Sequence, residues 1–332
     1  MARIRYNNID NVSTDKTLKE FRQWREERRR KKKDYTYKVP NHPPRLEYLA
    51  GNRLETTITW IGHSTFFLQY EGMNIITDPI WARRLGFEKR IGEPGIAIHE
   101  IPPVDLILIS HSHYDHLHIR SIRKLYRTGT TLIVPAGLKR KMVRKGFTNC
   151  VEMEWWQELT LGAVKLAFVP TQHWTRRTPF DTNSSHWGGY VLQPAEPQKH
   201  PEGEEGKAQH KLLPPNLYFA GDSGFFPGFK EIGRRYRLHV ALMPIGAYEP
   251  EWFMNSQHVN PEEAVQAFLD VGAELMIPMH FGTFRLADDT AREALDRMEQ
   301  ARVAQGLGEE RIRTLAYGET LVVHPEERPP TT

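Results

Sequence analysis

The stretch Ile109-Ser-His-Ser-His-Tyr-Asp-His-Leu-His118 carries four candidate metal ligands within six residues: His111, His113, Asp115 and His116. On a strand, positions 111, 113 and 115 share a face that 116 opposes, and on a helix 111 and 115 align while 113 points away. All four converge only if a strand ends here and the chain turns sharply. The apolar run 104–109 supplies that strand.

The spacing H-x-H-x-D-H therefore predicts a metal site rather than a regular element. The first two histidines can serve one ion and the Asp-His pair another, and imidazole nitrogen with carboxylate oxygen suits zinc. A histidine-rich surface loop that only titrates near neutral pH is the alternative. That alternative leaves the aspartate and the preceding strand unexplained.

Three further apolar stretches end in a histidine or an aspartate. His173 follows the stretch 164–170, Asp222 follows 216–220, and His280 follows 274–279. Each stretch is a predicted strand, and ligands at the ends of several strands form the rigid arrangement that a preorganised site requires. A lone histidine after a strand is more often structural, so these residues are candidate metal ligands only in combination with the motif.

With these motifs the chain resembles the metallo-β-lactamase superfamily. More narrowly, it is similar to the branch of N-acyl-phosphatidylethanolamine-hydrolysing phospholipases D and their bacterial relatives, over roughly residues 45–325. The H-x-H-x-D-H element is common to the superfamily. The blocks that narrow the resemblance to this branch lie in Thr59-Trp-Ile-Gly-His-Ser-Thr65, Thr77-Asp-Pro-Ile80 and His173-Trp-Thr-Arg-Arg177. The blocks 181–189, 220–224 and 257–264 complete the resemblance.

The resemblance implies an α/β fold of the αββα sandwich type, with two mixed β-sheets flanked by helices. It implies two zinc ions, which iron or manganese could replace. The first ion would be held by His111, His113 and His173, and the second by Asp115, His116 and His280. Asp222 would bridge the two ions. His258 would lie near a substrate phosphate, and we expect Asp115, Asp222 and His258 to take part in catalysis.

The implied reaction is phosphodiester hydrolysis that converts N-acyl-phosphatidylethanolamine into an N-acylethanolamine and phosphatidic acid. Two alternatives remain open at this point. One is a metal-dependent hydrolase of another bond, such as a sugar-phosphate lactone or a thioester. The other is a nucleic-acid phosphodiesterase, although nucleic acid is not the partner that we favour. Relatives in this branch form dimers, so a homodimer is expected.

Composition places few further limits on the protein. The chain has 332 residues and one cysteine, Cys150, so it lacks an internal disulfide framework and its metal ligands must be histidines and carboxylates. No apolar run reaches the ~20 residues that span a bilayer, and the first residues lack a secretory signal. We expect a soluble, cytoplasmic protein, with peripheral membrane contact left open.

That contact would use a basic extension at residues 1–45. Residues 16–38 hold eleven Lys and Arg against four Asp and Glu, and Leu18, Phe21 and Trp24 recur every three residues among them. An amphipathic helix of this kind binds anionic lipid. The alternatives are an extension that packs its aromatic residues on its own domain and, less favoured, a nucleic-acid tether.

We predict one hydrolase domain over residues 46–325, an exposed inserted loop at 194–214 and a tail at 326–332. Asn260-Pro-Glu-Glu predicts a helix start, with Asn260 as N-cap and Glu263 completing a capping box. A second helix is predicted over Thr290–Gln305, and strands over Arg313–Ala316 and Thr320–Val323.

Overall fold

The structure is a computed structural model, and it describes residues 5–195 and 214–324. Most of the predicted inserted loop and the whole predicted tail lie outside these described residues. None of the described helices combines the length and the apolar character needed to cross a bilayer.

Within the described residues the first sheet has seven strands, in the order β15-β1-β2-β3-β6-β7-β8. Strands β1 to β3 pair antiparallel, and β3, β6, β7 and β8 pair parallel, so the sheet is mixed. The strands span Thr56–Gly62 (β1), Thr65–Tyr70 (β2), Met73–Thr77 (β3), Leu106–Leu108 (β6), Thr131–Pro135 (β7), Cys150–Met153 (β8) and Thr320–Val323 (β15). A short hairpin between β3 and β6 joins Arg84–Leu85 (β4) to Glu88–Lys89 (β5).

The second sheet has six strands in the described residues, in the order β14-β13-β12-β11-β10-β9. It is also mixed: β9 to β12 pair antiparallel, and β12 to β14 pair parallel. The strands span Glu158–Leu161 (β9), Val164–Val169 (β10), Gly189–Pro194 (β11), Leu217–Phe219 (β12), Val240–Pro244 (β13) and Leu275–Met279 (β14).

A single apolar core joins the two sheets, because side chains such as Phe66, Leu68, Phe168 and Phe219 from both sheets belong to one buried cluster. Helix α7 also contributes to this cluster, whereas α3 and α4 cover the first sheet through a second cluster. This is the predicted αββα sandwich. The helices span Leu18–Arg30 (α1), Leu46–Gly51 (α2), Ile119–Leu125 (α3), Lys139–Arg144 (α4), Gly228–Arg235 (α5), Glu251–Met254 (α6), Pro261–Asp270 (α7) and Ala291–Ala304 (α8).

The basic extension packs on the sandwich. Helix α1 begins with a capping box between Thr17 and Glu20. The indole of Trp24 stacks on Phe253 at a centroid distance of 5.2 Å, and its Nε1 donates to Asp288 at 3.0 Å. Trp24 therefore follows the second of the three arrangements considered for this segment, in which the extension packs on its own domain. Leu18 instead remains 78% exposed.

The other predicted elements are close to those observed. Helix α7 begins at Pro261 with the expected capping box, and α8 lies within the predicted range. The prediction of a strand at Arg313–Ala316 is wrong. Residues 313–316 join no strand ladder. Isolated bridges flank them, from Ile312 to Met276 and from Tyr317 to Asn41, before β15 begins at Thr320.

Candidate metal centre

Five strand ends deliver the site residues to one place. Asp78 follows β3, the motif loop follows β6, His173 follows β10, Asp222 follows β12 and His280 follows β14. All seven residues that the sequence proposed as ligands have an atom close to another member of the set. They form overlapping groups whose ligand atoms lie within 4.8 Å of one another.

The first group consists of three imidazoles: His111, His113 and His173. The Nε2 of His111 lies 2.9 Å from Nδ1 of His113, which lies 3.1 Å from Nε2 of His173. A tetrahedral zinc ion with Zn–N bonds of about 2.0 Å sets its ligand atoms about 3.3 Å apart. The three nitrogens are therefore spaced almost as zinc requires.

The second group mixes imidazole and carboxylate: Asp115, His116, His280 and Asp222. Nε2 of His116 and Nε2 of His280 are 3.3 Å apart, and each lies 3.1 Å from Oδ2 of Asp222. Oδ2 of Asp115 lies 3.2 and 3.5 Å from the same two nitrogens. Four donor atoms thus surround one point at separations near the tetrahedral value.

Asp222 lies between the two groups. Its Oδ2 is 3.8 Å from Nε2 of His111 and 3.9 Å from Nε2 of His173, beyond the 3.1 Å contacts to the second group. Its Oδ1 is buried without a hydrogen-bond partner in the described residues. A buried carboxylate oxygen with no donor is costly, and a cation would satisfy it. The residues therefore fit a pair of metal ions.

Outer hydrogen bonds fix which ring nitrogen faces inward. The Nδ1–H of His116 donates to Asp78 at 2.7 Å, and that of His173 donates to the carbonyl of Gln257 at 2.9 Å. Ser110 donates its hydroxyl to Asp78, so its oxygen can accept from Nδ1–H of His111 at 2.9 Å. Each bond makes Nε2 the inward-facing nitrogen, the atom that would bind a metal. Asp78 thus holds His116, a histidine of the set.

Burial and neighbouring rings keep most of the cluster neutral. Burial, with the nearby His116 and His173, holds the pKa of His111 well below its ordinary 6.5. Burial lowers the pKa of His113 to about 3 and that of His173 to about 4. Neutral imidazoles have the free lone pair that a metal needs.

In the second group, by contrast, the neighbouring carboxylates raise the pKa of the histidines. Burial alone would lower the pKa of His280, but the carboxylates of Asp222 and Asp115 outweigh it and raise the pKa to about 9. Burial would raise the pKa of Asp222, yet His116 and His280 hold it well below its usual range. In the metal-free protein, protons on these histidines provide the positive charge that a metal ion would otherwise supply.

Three other histidines of the motif blocks lie close by. Nε2–H of His63 donates to Asp115 at 3.0 Å, so His63 holds a carboxylate of the second group. Nδ1 of His258 lies 4.0 Å from Asp222, and its ring centroid is 5.1 Å from that of His173. His118 instead caps helix α3 through Nδ1 and contacts no member of the cluster in the described structure.

Two supporting residues were missed from the sequence. Oδ1 of Asn8 accepts from the backbone N–H of His173 at 3.0 Å and from the indole of Trp187 at 3.1 Å. The guanidinium of Arg177 donates to the carbonyl oxygens of Ser112 and Leu117 at 2.7 and 3.0 Å, which holds the motif loop from outside. No motif marks Asn8. Arg177 lies in a quoted block, but its role depends on tertiary contacts.

The backbone is strained at the site. His63, Asp78 and His280 have φ values of 54°, 34° and 62°, in a region that residues other than glycine seldom adopt. Such conformations persist only where surrounding contacts impose them, and they cluster at functional sites. The strain is thus a further mark of a site held in a fixed geometry.

The cluster opens to the surface beside His113. A groove of about 510 Å³ is lined there by Tyr114, Trp174, Arg176, Arg177, Thr178 and Pro179 as well as His113. The ring of Trp174 meets His113 edge-on at 4.8 Å. This groove, called the mouth of the site below, therefore combines aromatic surface with cationic groups directly next to the proposed ligands.

Several known proteins are similar to this chain in sequence or in fold. A family described as "Beta-lactamase superfamily domain" matches residues 73–281. The mitochondrial N-acyl-phosphatidylethanolamine-hydrolyzing phospholipase D of Saccharomyces cerevisiae is 32% identical over 77% of this chain, which covers 54% of the yeast protein. The chain thus spans about half the length of that relative.

Two further comparisons agree. The N-acyl-phosphatidylethanolamine-hydrolyzing phospholipase D 1 of Caenorhabditis elegans is 32% identical over 73% of this chain and 70% of its own length. The structure of Igni18, described as a metallo hydrolase from the archaeon Ignicoccus hospitalis, has a TM-score of 0.59. It is 22% identical over 82% of this chain and all of its own, and this likeness shows the fold alone.

The family match and the fold define the class of this protein, a member of the metallo-β-lactamase superfamily with a histidine and carboxylate cluster that could hold metal ions. Within that class the chain belongs to the metallo-β-lactamase superfamily branch that contains the N-acyl-phosphatidylethanolamine-hydrolysing phospholipases D.

Proposed function

We propose that this protein is a dinuclear zinc phosphodiesterase that hydrolyses N-acyl-phosphatidylethanolamine to an N-acylethanolamine and phosphatidic acid. The observation that carries the proposal is the position of Asp222 between two groups of donor atoms, 3.1 Å from one and 3.8 to 3.9 Å from the other. The names of the yeast and nematode relatives supply the substrate.

In this proposal His111, His113 and His173 would hold the first ion, Asp115, His116 and His280 would hold the second, and Asp222 would serve both. When bound, a zinc pair supplies Lewis-acid chemistry that lowers the pKa of water and neutralises charge on a phosphoryl oxygen. His63 and Asp78 keep their partners in place through the hydrogen bonds described above.

Nδ1 of His258 lies 4.0 Å from Oδ2 of Asp222 and has no hydrogen-bond partner among the described residues. Burial holds the pKa of His258 well below its ordinary value, so the ring is neutral in the metal-free protein. We therefore assign it a hydrogen bond to a substrate phosphate oxygen rather than a full positive charge.

The mouth supports a lipid substrate. Trp174 and Tyr114 offer aromatic surface for apolar parts of a lipid, and Arg176 offers a cation for its phosphate. Since these groups lie beside His113, a phospholipid bound there would bring its phosphodiester to the donor cluster.

The substitution Asp222→Asn tests the proposal. It removes the shared carboxylate, and we expect N-acylethanolamine release to fall more than about 100-fold, beyond the 10- to 100-fold typical of outer hydrogen-bond partners. Mass spectrometry measures the product, elemental analysis the zinc content and circular dichroism the fold. Asp296→Asn, on the exposed face of α8, is the matched control and should leave all three unchanged.

Two results would contradict the proposal. Retained turnover in Asp222→Asn would exclude the bridging role. A zinc-loaded protein that cleaves neither the phospholipid nor bis-p-nitrophenyl phosphate, but opens lactones, would place it with hydrolases of another bond.

A further inference from the structure

A second groove, of about 400 Å³, lies beside the motif loop. Its cationic residues are Arg83 and Arg84, around the start of the β4–β5 hairpin, and Arg120 and Lys124, on helix α3. Trp81, Ala82, Ile98, His118 and Ser121 complete the lining. No residue of the proposed metal centre lines this groove.

The four cations are unpaired. No acidic residue lines the groove, and within residues 5–195 and 214–324 none of the four forms an ion pair or a side-chain hydrogen bond. Arginines elsewhere in the protein, such as the exposed Arg234 and the half-buried Arg297, do pair with glutamates. Four positive charges in one groove repel each other unless an anion neutralises them.

Trp81 and Ser121, two other residues of the lining, already have hydrogen-bond partners. Nε1 of Trp81 donates to the carbonyl of Ile96 at 2.8 Å, and its backbone N–H donates to Oγ of Ser121 at 2.9 Å. The ring of Trp81 and the side chain of Ile98 then offer apolar surface. The groove thus suits a ligand that joins an anionic group to an apolar part.

An exposed phenylalanine lies next to these cations. Phe87 occupies the two-residue turn between the paired residues Leu85 and Glu88 and is 99% exposed. Gly86 allows the tight turn with a φ of 59°. The neighbouring strand pair brings Arg84 opposite Lys89. Glu88, the acidic residue next to Phe87, pairs with Arg28 at 3.8 Å. An exposed aromatic side chain with basic residues nearby is typical of segments that insert into a membrane interface.

We propose that this groove and the tip of the β4–β5 hairpin form a docking surface for an anionic phospholipid bilayer. Headgroup phosphates bind Arg83, Arg84, Arg120 and Lys124, while Phe87 enters the interfacial region. Helix α1 lies beside this surface, because Arg28 of α1 pairs with Glu88 of β5 at 3.8 Å. The inference extends the proposed function, since a phospholipid hydrolase must meet its substrate at a bilayer, but it does not depend on turnover.

Sedimentation of the full chain with vesicles tests the docking surface. We use vesicles of phosphatidylcholine alone and of phosphatidylcholine mixed equally with phosphatidylglycerol, and expect binding to the anionic vesicles. Arg120→Gln with Lys124→Gln should lower the partition coefficient about 25-fold, which is about fivefold for each charge. Arg234→Gln with Arg235→Gln removes equal charge from α5, which follows a strand of the other sheet, and should change it little.

Phe87 provides an independent arm of the test. Phe87→Ala should weaken binding, and Phe87→Trp should restore it, because tryptophan also suits the interface. Turnover of soluble bis-p-nitrophenyl phosphate should be unchanged in the groove variants, while turnover of lipid in vesicles falls.

Three outcomes overturn the docking surface. The first is a groove variant that binds anionic vesicles as tightly as the wild-type protein. The second is an equal loss of vesicle binding in the groove and α5 variants, which would reflect net charge alone. The third is binding of inorganic phosphate or single-stranded RNA in the groove without vesicle binding. A protein that docks through the groove yet releases no N-acylethanolamine would instead contradict only the proposed function.

Discussion

At the scale of single residues, the position of His173 depends on a residue 165 positions away in sequence. The backbone N–H of His173 donates to Asn8, and its Nδ1–H donates to the carbonyl of Gln257. Asn8 is itself held through Nδ2, which donates to the carbonyl of Val12 at 2.9 Å. The basic extension therefore begins as part of the support of the metal centre.

Replacing Asn8 tests this support. Asn8→Ala removes both hydrogen bonds that Oδ1 accepts, and we expect zinc affinity to fall about 10- to 100-fold, as for other outer partners of a metal ligand. Asn8→Asp keeps an Oδ1 atom that can accept both hydrogen bonds, so it should retain most of the zinc affinity. Competition with a chromophoric chelator measures the change. If the two variants lose affinity equally, or Asn8→Ala loses none, the residue has no positioning role.

At the scale of elements, the parallel strands β13 and β14 end side by side and deliver His280 to the cluster. A Cβ atom on Gly246, just after β13, would lie 2.2 Å from the carbonyl oxygen of His280. Since that oxygen belongs to the backbone, it can move only if the end of β14 moves. The close approach of two chain segments, rather than any motif, requires glycine here.

Gly246→Ala should therefore destabilise the protein by about 1–3 kcal/mol, the usual cost of overpacking, and weaken zinc binding by moving His280. Urea titration measures the first effect and chelator competition the second. Gly51→Ala is the control, because a Cβ there meets nothing within 4 Å. Unchanged zinc affinity in a destabilised Gly246→Ala variant would show that His280 tolerates the shift.

Helix α1 offers a second test at this scale. Trp24 stacks on Phe253 and donates to Asp288, whereas Leu18 of the same helix is exposed. We expect Trp24→Ala to lower the free energy of unfolding by about 2 kcal/mol, less than for a fully buried tryptophan, and Leu18→Ala to change it little. Equal effects in a urea titration would mean that α1 does not pack on the sandwich in solution.

The sequence predicted best those elements whose structure depends on local pattern. The apolar runs that precede the ligands and the capping box at Asn260 predicted β10, β14 and helix α7 with nearly the observed bounds. It failed at Arg313–Ala316, where the chain follows the edge of a sheet without pairing in a ladder. It also could not find Asn8, because hydrogen bonds across 165 residues leave no periodicity in sequence.

At the scale of the whole molecule, the sandwich surrounds the cluster closely enough to change its protonation. Burial is the largest cause of the lowered pKa of five histidines in and beside the cluster. The pKa is about 3 for His63 and His113 and about 4 for His173. The other two, His111 and His258, lie well below 6.5. Between pH 6.5 and about 4, these groups take up protons in the unfolded chain but much less in the folded metal-free protein.

The metal-free protein should therefore lose stability on mild acidification. Because the unfolded state binds more protons in this window, the free energy of unfolding falls as the pH falls below 6.5. His280 acts at the other end, since its pKa is raised to about 9. Its contribution is complete below pH 6.5 and is lost as the pH rises through about 9.

Urea titrations of chelator-treated protein at acidic, neutral and alkaline pH measure this dependence, and we expect the maximum stability near neutral pH. Zinc should add stability at neutral pH, because it binds only the folded cluster. That addition should disappear in acid, where protons compete for the same nitrogens. A metal-free protein that becomes more stable on acidification would show that these histidines are not buried as neutral groups. The preorganised cluster would then be excluded together with the metal sites built on it.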